Sequence, residues 1–233
     1  MSADASLGRG LAAGFGLSAG QAAQLEALLS LLGGDDAPTT VREPERAADV
    51  HLADSLVALE LEVVRRAARV ADLGSGAGFP GLPLAVALPA AEFSLVESQS
   101  RKCRFLERAL AGARIGNARA VCARAEEWRE GFGLHDVVLA RALAPPAVVL
   151  EYAAPLLCSG GVMVDWRGRR DAAEERSAAR AAAELGLRRL EIRHVAPYAQ
   201  ASDHHLHLYT KVAPTPARFP RRAGIARKRP LGC

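Results

Sequence analysis

Residues 70–86, VADLGSGAGFPGLPLAV, pass from an apolar strand-type segment through closely spaced glycines into an apolar helix-type segment. No other stretch restricts the fold as much. A strand that turns at once, through residues free to take positive φ, into a helix is the opening unit of a doubly wound sheet. The rest of the chain agrees with that unit. Short β-type segments at 69–73, 92–97, 118–122, 136–141 and 161–166 alternate with helical candidates at 81–88, 100–112, 145–157 and 170–185. This alternation predicts a parallel sheet covered on both faces. Upstream, 17–32 and 43–69 read as helical, with Gly33-Gly34-Asp35-Asp36 ending the first. Downstream, 187–195 and 204–212 are strand-like with only a loop between them, which predicts an antiparallel pair at the sheet's edge. Three segments follow: a helical N-terminal extension (1–68), an α/β ligand-binding domain (69–213) and a basic C-terminal tail (214–233).

The loop after the first strand reads Asp72-Leu73-Gly74-Ser75-Gly76-Ala77-Gly78-Phe79. A dinucleotide fingerprint counted from Gly74 needs a third glycine where Phe79 stands. A phosphate-binding P-loop is excluded because no Gly-Lys-Ser/Thr follows. An acid at the strand end disfavours a pyrophosphate and suits a ligand with an ammonium group and ribose hydroxyls, as S-adenosylmethionine has. Glu97, ending the next strand, is placed to accept from those hydroxyls. The residues therefore predict cofactor contacts at Asp72, Gly74, Gly76, Gly78 and Glu97.

Charge is uneven along the chain. The net charge is +4, yet Arg218, Arg221, Arg222, Arg227, Lys228 and Arg229 of the tail stand without a single acid. The body alone is thus slightly acidic, and the tail supplies the cationic character expected to meet a polyanion. The alternative for such a segment is a solvated end. Cys103, Cys122, Cys158 and Cys233 are too scattered for a metal or redox motif and read as reduced, mostly buried thiols. His204, His205 and His207 read as the surface of an edge strand, not a metal site. Arg9 and the following LAAGFGL are too short and glycine-broken for a signal peptide, and no run is long and apolar enough to span a bilayer. A cytoplasmic monomer is expected.

These segments resemble one family, the bacterial guanine-N7 methyltransferases of small-subunit ribosomal RNA, also called glucose-inhibited division protein B. The likeness runs from about Val41 to Leu231. It rests on VREPERAADVHLADSL with His51, Asp54 and Ser55, on DLGSGAGFPGLPLAV, VESQSRKCRFL, RAEEW (124–128) and LARAL (139–143), and on the tail FPRRAGIARKRPL. The resemblance implies a class I S-adenosylmethionine-dependent methyltransferase, Rossmann-like, with a seven-stranded, mostly parallel sheet and an antiparallel edge strand. It adds cofactor contacts at Phe79, Ala125, Glu126 and Arg141, with Arg141 also helping to position the reaction. It makes 16S ribosomal RNA, or the small ribosomal subunit, the partner, with Arg167 joining the tail as an RNA contact.

Two segments depart from the family pattern. LLGGDDAPTT replaces a Trp-Asn…Asn-Leu-Thr segment and keeps only Thr39, and Arg167-Gly168 stands for Lys-Gly. The residues offer no nucleophile or acid–base pair. That is consistent with guanine N7, a neutral nucleophile that sheds no proton on methylation. A small-molecule methyltransferase shares the glycine loop without needing the tail, and a non-catalytic ribosome-assembly factor stays open given the altered N-terminal segment.

Overall fold

The computed structural model describes residues 4–232, so Cys233 lies outside the described residues. The chain opens with α1 (Asp4–Gly14) and α2 (Ala19–Leu32). Ser18 caps α2 in a reciprocal box with Gln21, which satisfies two otherwise orphaned amides. The expected long helix over 43–69 is instead a chain of short turns. These are α3 (Pro44–Ala47), a π turn (Ala48–Ala53), α4 (Asp54–Leu56), a 3-10 turn (Val57–Glu60) and α5 (Glu62–Arg65). Wide turns of this kind are common at functional sites because they re-aim side chains.

The α/β alternation follows in the expected order: β1 (Arg69–Leu73), α6 (Gly81–Ala87), β2 (Glu92–Glu97), α7 (Ser100–Gly112), β3 (Ala118–Cys122), β4 (His135–Arg141), α8 (Pro146–Ala153), β5 (Leu157–Arg167), α9 (Ala172–Glu184), β6 (Leu187–Val195), β7 (His204–Lys211) and α10 (Ile225–Lys228). The seven strands form one sheet in the order β3-β2-β1-β4-β5-β7-β6. Strands β1 to β5 pair in parallel, and β7 pairs antiparallel with both β5 and β6. The antiparallel strand therefore sits one place in from the edge that β6 forms. The chain turns outward in both directions from β1 and β4, and the C-terminal ends of these two strands are where such sheets hold ligands.

Side-chain alternation along each strand gives the sheet two apolar faces. One carries Val70, Leu95, Leu139, Val164 and Trp166 under α2, α6 and the 44–65 turns. The other carries Ala71, Val138, Ala140, Met163 and Tyr209 under α8, α9 and α10. Leu25, Leu28, Leu29 and Leu32 of α2 belong to the first cluster, so the N-terminal segment shares the sheet's core. Gln21 adds a hydrogen bond of 2.8 Å to the Val86 carbonyl.

The tail is likewise part of the packed body. Phe219 and Ala226 are buried in the second cluster. Arg221 grips Glu151, itself 1% exposed, through two guanidinium contacts of 2.8 and 2.5 Å and a backbone amide at 3.2 Å. Arg218 pairs with Glu184, and Arg180 holds the Gly232 carbonyl at 2.8 Å. The solvated-end alternative is thereby corrected for this segment. Its few apolar residues find a groove between α8 and α9, and Glu151 neutralises the arginine at its centre.

The histidine reading is corrected too. Because β7 is an interior strand, His207 is 3% exposed, and burial lowers its pKa to about 4. Among the described residues no group of His, Cys, Asp and Glu is arranged to hold a metal. Of the thiols, Cys103 is buried, Cys158 half-buried and Cys122 exposed. No helix of the described residues is long and apolar enough to cross a membrane.

Candidate functional site

Two clefts open side by side at the C-terminal ends of the parallel strands. The first lies over β1, β2 and β3. It is lined by Gly74, Ser98, Ala123, Ala125, Glu126, Leu143, Tyr152 and Arg227. The second lies over β4 and β5 and is lined by Val50, His51, Asp54, Arg141, Ala142, Trp166, Arg167, Arg169 and His204. The backbone between the two, 142–145, is their common wall.

The glycine loop shapes the first cleft. Gly76 has φ +58, a conformation that L side chains rarely adopt, and a Cβ there would meet nothing closer than the Gly74 carbonyl at 3.7 Å. That open space is what a ligand approaching the backbone requires. Gly74, at φ +66, is roofed by Leu143, whose Cδ1 would stand 2.5 Å from a Cβ. Glu97 fastens the loop from below, accepting from the amides of Gly76 (3.1 Å) and Gln99 (2.9 Å).

Asp72 is placed differently. Its carboxyl is fully buried beneath the loop and accepts from the Gly81 amide at 3.1 Å, while Oδ1 has no partner. Burial raises its pKa to about 6, against the Ser75 hydroxyl and the Gly81 amide. Asp72 therefore sets where α6 begins and does not line either cleft. Gly78 packs against Leu82 and Leu106, so its missing side chain serves the helix-on-strand contact.

Beyond β3, Ala125 and Glu126 line the first cleft as the resemblance implies. Glu126 Oε1 also accepts from the Gly224 amide at 3.0 Å. Arg227 reaches over the same cleft and donates to the Leu143 carbonyl at 2.9 Å. The tail thus reaches the glycine-loop end of the sheet, where Arg227 of α10 forms part of the cleft wall. Arg222, Lys228 and Arg229 are exposed.

Arg141, at the end of β4, is the hub of the second cleft. It donates to the Val50 carbonyl (2.8 Å) and to Asp54 Oδ2 (2.7 Å), and its other terminal nitrogen lies 3.3 Å from His51 Nδ1. An arginine can only donate, so Nδ1 carries the lone pair and Nε2 the hydrogen, which points at Thr39 Oγ1 at 2.9 Å. Burial, reinforced by Arg141, lowers the His51 pKa to about 4, in keeping with a neutral ring. His51 stacks on Phe79 with centroids 4.6 Å apart, and the Arg141 guanidinium lies 5.7 Å from the same ring. Trp166 Nε1 donates to the Asp54 carbonyl at 2.8 Å. The π turn of 48–53 lets His51 and Asp54 both face the sheet edge. Thr39, the one residue kept from the altered N-terminal segment, is thereby built into the site.

The shared wall is held from both sides. Ala142 sits at φ +54, a strained value for a residue with a Cβ. Arg167 donates to the Ala144 carbonyl at 2.9 Å and is balanced by Glu174 at 3.0 Å and Asp165 at 3.7 Å. Arg227 supplies the bond to Leu143. Sequence reasoning missed Leu143, Tyr152 and Ala142, because an apolar residue over a glycine and a non-glycine at positive φ leave no local pattern.

Chemically, the first cleft presents glycine backbone, the Glu126 carboxylate and the guanidinium groups of Arg124 and Arg227, and the second presents guanidinium groups beside Trp166, His51 and His204. A family model described as rRNA small subunit methyltransferase G matches residues 21–205. The ribosomal RNA small subunit methyltransferase G of Synechococcus sp. (strain JA-3-3Ab) is 39% identical over 203 residues, covering 83% of this chain and 78% of the relative. The protein of that name from Rubrobacter xylanophilus is 39% identical over 198 residues, covering 82% and 75%. Among solved structures, Aeropyrum pernix fibrillarin with natively bound S-adenosyl-L-methionine superposes with a TM-score of 0.54 at 19% identity, over 67% of this chain and 72% of that one. A predicted O-methyltransferase from Agrobacterium tumefaciens gives 0.54 at 23% identity, over 70% and 80%. These two share the fold.

Proposed function

The chain belongs to the rRNA small subunit methyltransferase G family, and from that premise we propose that it methylates N7 of one guanine in 16S ribosomal RNA, with S-adenosylmethionine as donor. The observation that carries this reading is the pairing of two unlike clefts across one wall. An open glycine backbone with Glu126 beside it faces one side, and a pocket of Arg141, Arg167 and Arg169 next to Trp166 faces the other.

The first cleft fits the cofactor. The space over Gly76 is open to it, Glu97 at the end of β2 holds the loop in that shape, and Glu126 in the loop after β3 lines the cleft where adenine would lie. When bound, the sulfonium supplies an electrophilic methyl group. The chain's own task is then alignment. N7 attacks as a neutral lone pair and no proton must leave, so placing nucleophile and methyl in line accounts for the chemistry. Three of the five Arg141 N–H groups are engaged by Val50, Asp54 and His51, which fixes the guanidinium in place. It holds the 48–54 turn against the β4 end and so fixes the far wall of the acceptor cleft. The neutral His51 ring buttresses Phe79 at the mouth of the glycine loop. Arg167, Arg169 and the exposed Arg222, Lys228 and Arg229 are the phosphate contacts of this reading. It places the protein in the cytoplasm as a monomer acting on the small subunit or its RNA.

The test is transfer of labelled methyl to small subunits, and to deproteinised RNA, from a strain lacking the gene. Chain cleavage at N7-methylguanine then locates the mark. A single new cleavage that appears only with the added protein is expected. Methyl transfer with no cleavage would put the group on another atom and overturn the reading.

A further inference from the structure

Beside the acceptor cleft, in contact with its lining residue His204, stands an aromatic ring not yet given a role. The β6–β7 connection, 196–203, is an ordered turn that leads into His204 at the cleft. The Ala201 amide donates to the Tyr198 carbonyl at 3.0 Å, Ala201 itself is buried, and His194 Nε2 lies 3.0 Å from the Ser202 carbonyl. This anchors the half-buried Tyr198. Its ring meets His204, a lining residue of the cleft, edge to face with centroids 5.6 Å apart. Its phenol also stands within the fields of Asp54, Asp49, Arg141 and Arg46.

The other aromatic groups at this end of the sheet are occupied. Phe79 is covered by His51, and Trp166 is 5% exposed with its nitrogen bound to Asp54. Of the three tyrosines, Tyr152 belongs to the first cleft and Tyr209 is fully buried. Tyr198 is therefore the aromatic side chain left at the rim, next to arginines that suit a phosphate.

We propose that Tyr198 is the stacking platform for the purine acceptor, held by the β6–β7 turn beside the Arg141 cleft. The proposal rests on the guanine reading above and names the surface on which that base lies. A base whose N7 must face a methyl group in a pocket has left its helix, and it loses stacking that the protein has to replace. A tyrosine ring does so regardless of the base's hydrogen-bonding edge, which leaves N7 free.

The experiment compares the parent with Tyr198→Ala, Tyr198→Leu, Tyr198→Phe and Tyr198→Trp. KM and kcat are measured on small subunits from a strain lacking the gene, with S-adenosylmethionine affinity measured separately by calorimetry. Loss of one base stack predicts a KM roughly 5- to 140-fold higher for Ala, from about 1–3 kcal/mol per stacked base. Leu should be as poor as Ala, Phe and Trp close to the parent, and cofactor affinity equal in all. A Leu variant that performs like Phe would show that Tyr198 only fills space and would overturn the proposal. An unchanged KM in Tyr198→Ala would overturn it as well. If the parent itself places no methyl on guanine N7, the functional reading fails first and the stacking assignment falls with it.

Discussion

At the scale of single residues, the site is a set of buried polar groups held by few partners, so substitutions act through what they leave behind. Gly76→Val puts a branched side chain at φ +58 and fills the open space over the loop. Calorimetry should show loss of S-adenosylmethionine binding, with a lowered melting temperature and native-like circular dichroism. Arg141→Ala removes the partner of Asp54, a carboxylate 5% exposed. Because the pair is buried, its loss should cost about 3–5 kcal/mol of stability as well as turnover. Asp54→Asn made alongside it should recover stability without activity, and denaturant titration with a transfer assay separates the two.

Protonation works in opposing directions. His51 and His207 are lowered to about 4 from an ordinary 6.5, so the unfolded chain takes up protons first and stability falls as pH drops from 6.5 towards 4. Asp72 and Asp165 are raised by burial to about 6 and about 7 from 3.8, so the unfolded chain loses protons first and stability falls as pH rises from about 4 to 7. The two trends offset one another between about pH 4.5 and 6, and the parent's stability should be nearly flat there. Asp165→Asn removes one of the opposing groups. Each pH unit between the folded and unfolded titrations of a carboxyl is worth about 1.4 kcal/mol, so the variant should gain up to about 4 kcal/mol at pH 8, and the gain should vanish towards pH 4. A gain that does not vary with pH would assign the effect to packing.

At the scale of elements, strands were the most legible. Each alternates or runs apolar as its burial requires, and β1, β2 and β3 begin and end where the residues predicted. Segment 43–69 was legible as helical but not as broken, because the π turn exists to serve His51 and Asp54, and that demand comes from Arg141, some ninety residues away. The tail was the least legible. Six basic residues with no acid read as solvated or RNA-bound, and nothing local shows that Glu151 waits on α8 for Arg221. Removing everything after Ala213 should therefore do more than weaken RNA binding. It uncovers the Phe219 groove and leaves Glu151 buried and unpaired, so loss of stability and of cofactor affinity should appear together. Arg221→Ala isolates the second effect at about 3–5 kcal/mol, and Arg221→Met with Glu151→Leu should restore most of it. If the truncated chain keeps its melting temperature, the tail's packing is not what holds it.

At the scale of the whole molecule, charge and topology meet. The sheet order puts the ends of β1 and β4 at its centre, and the loops there supply a glycine-lined cleft and an arginine-rich one. The location of the site was legible from one strand–glycine–helix unit, as the fold class was. Its division into two clefts was not, since the dividing wall is built from the 142–145 backbone and held by Arg167 and Arg227. Arg169, exposed at the mouth of the second cleft, should carry mainly phosphate contact. Arg169→Ala should leave cofactor affinity unchanged, weaken RNA binding, and lower the slope of log affinity against log salt by about one. Parallel slopes would remove Arg169 from the RNA surface.

The wall that Arg227 completes has a consequence for biosynthesis. Chains grow from the amino end, and domains fold as their residues emerge. Thr39, the glycine loop and Arg141 are all made well before the residue that closes the cleft over Leu143. The nascent protein can thus hold a finished sheet while its first cleft still lacks a side. Formation of the cofactor cleft is therefore expected to lag behind formation of the sheet as the chain is made.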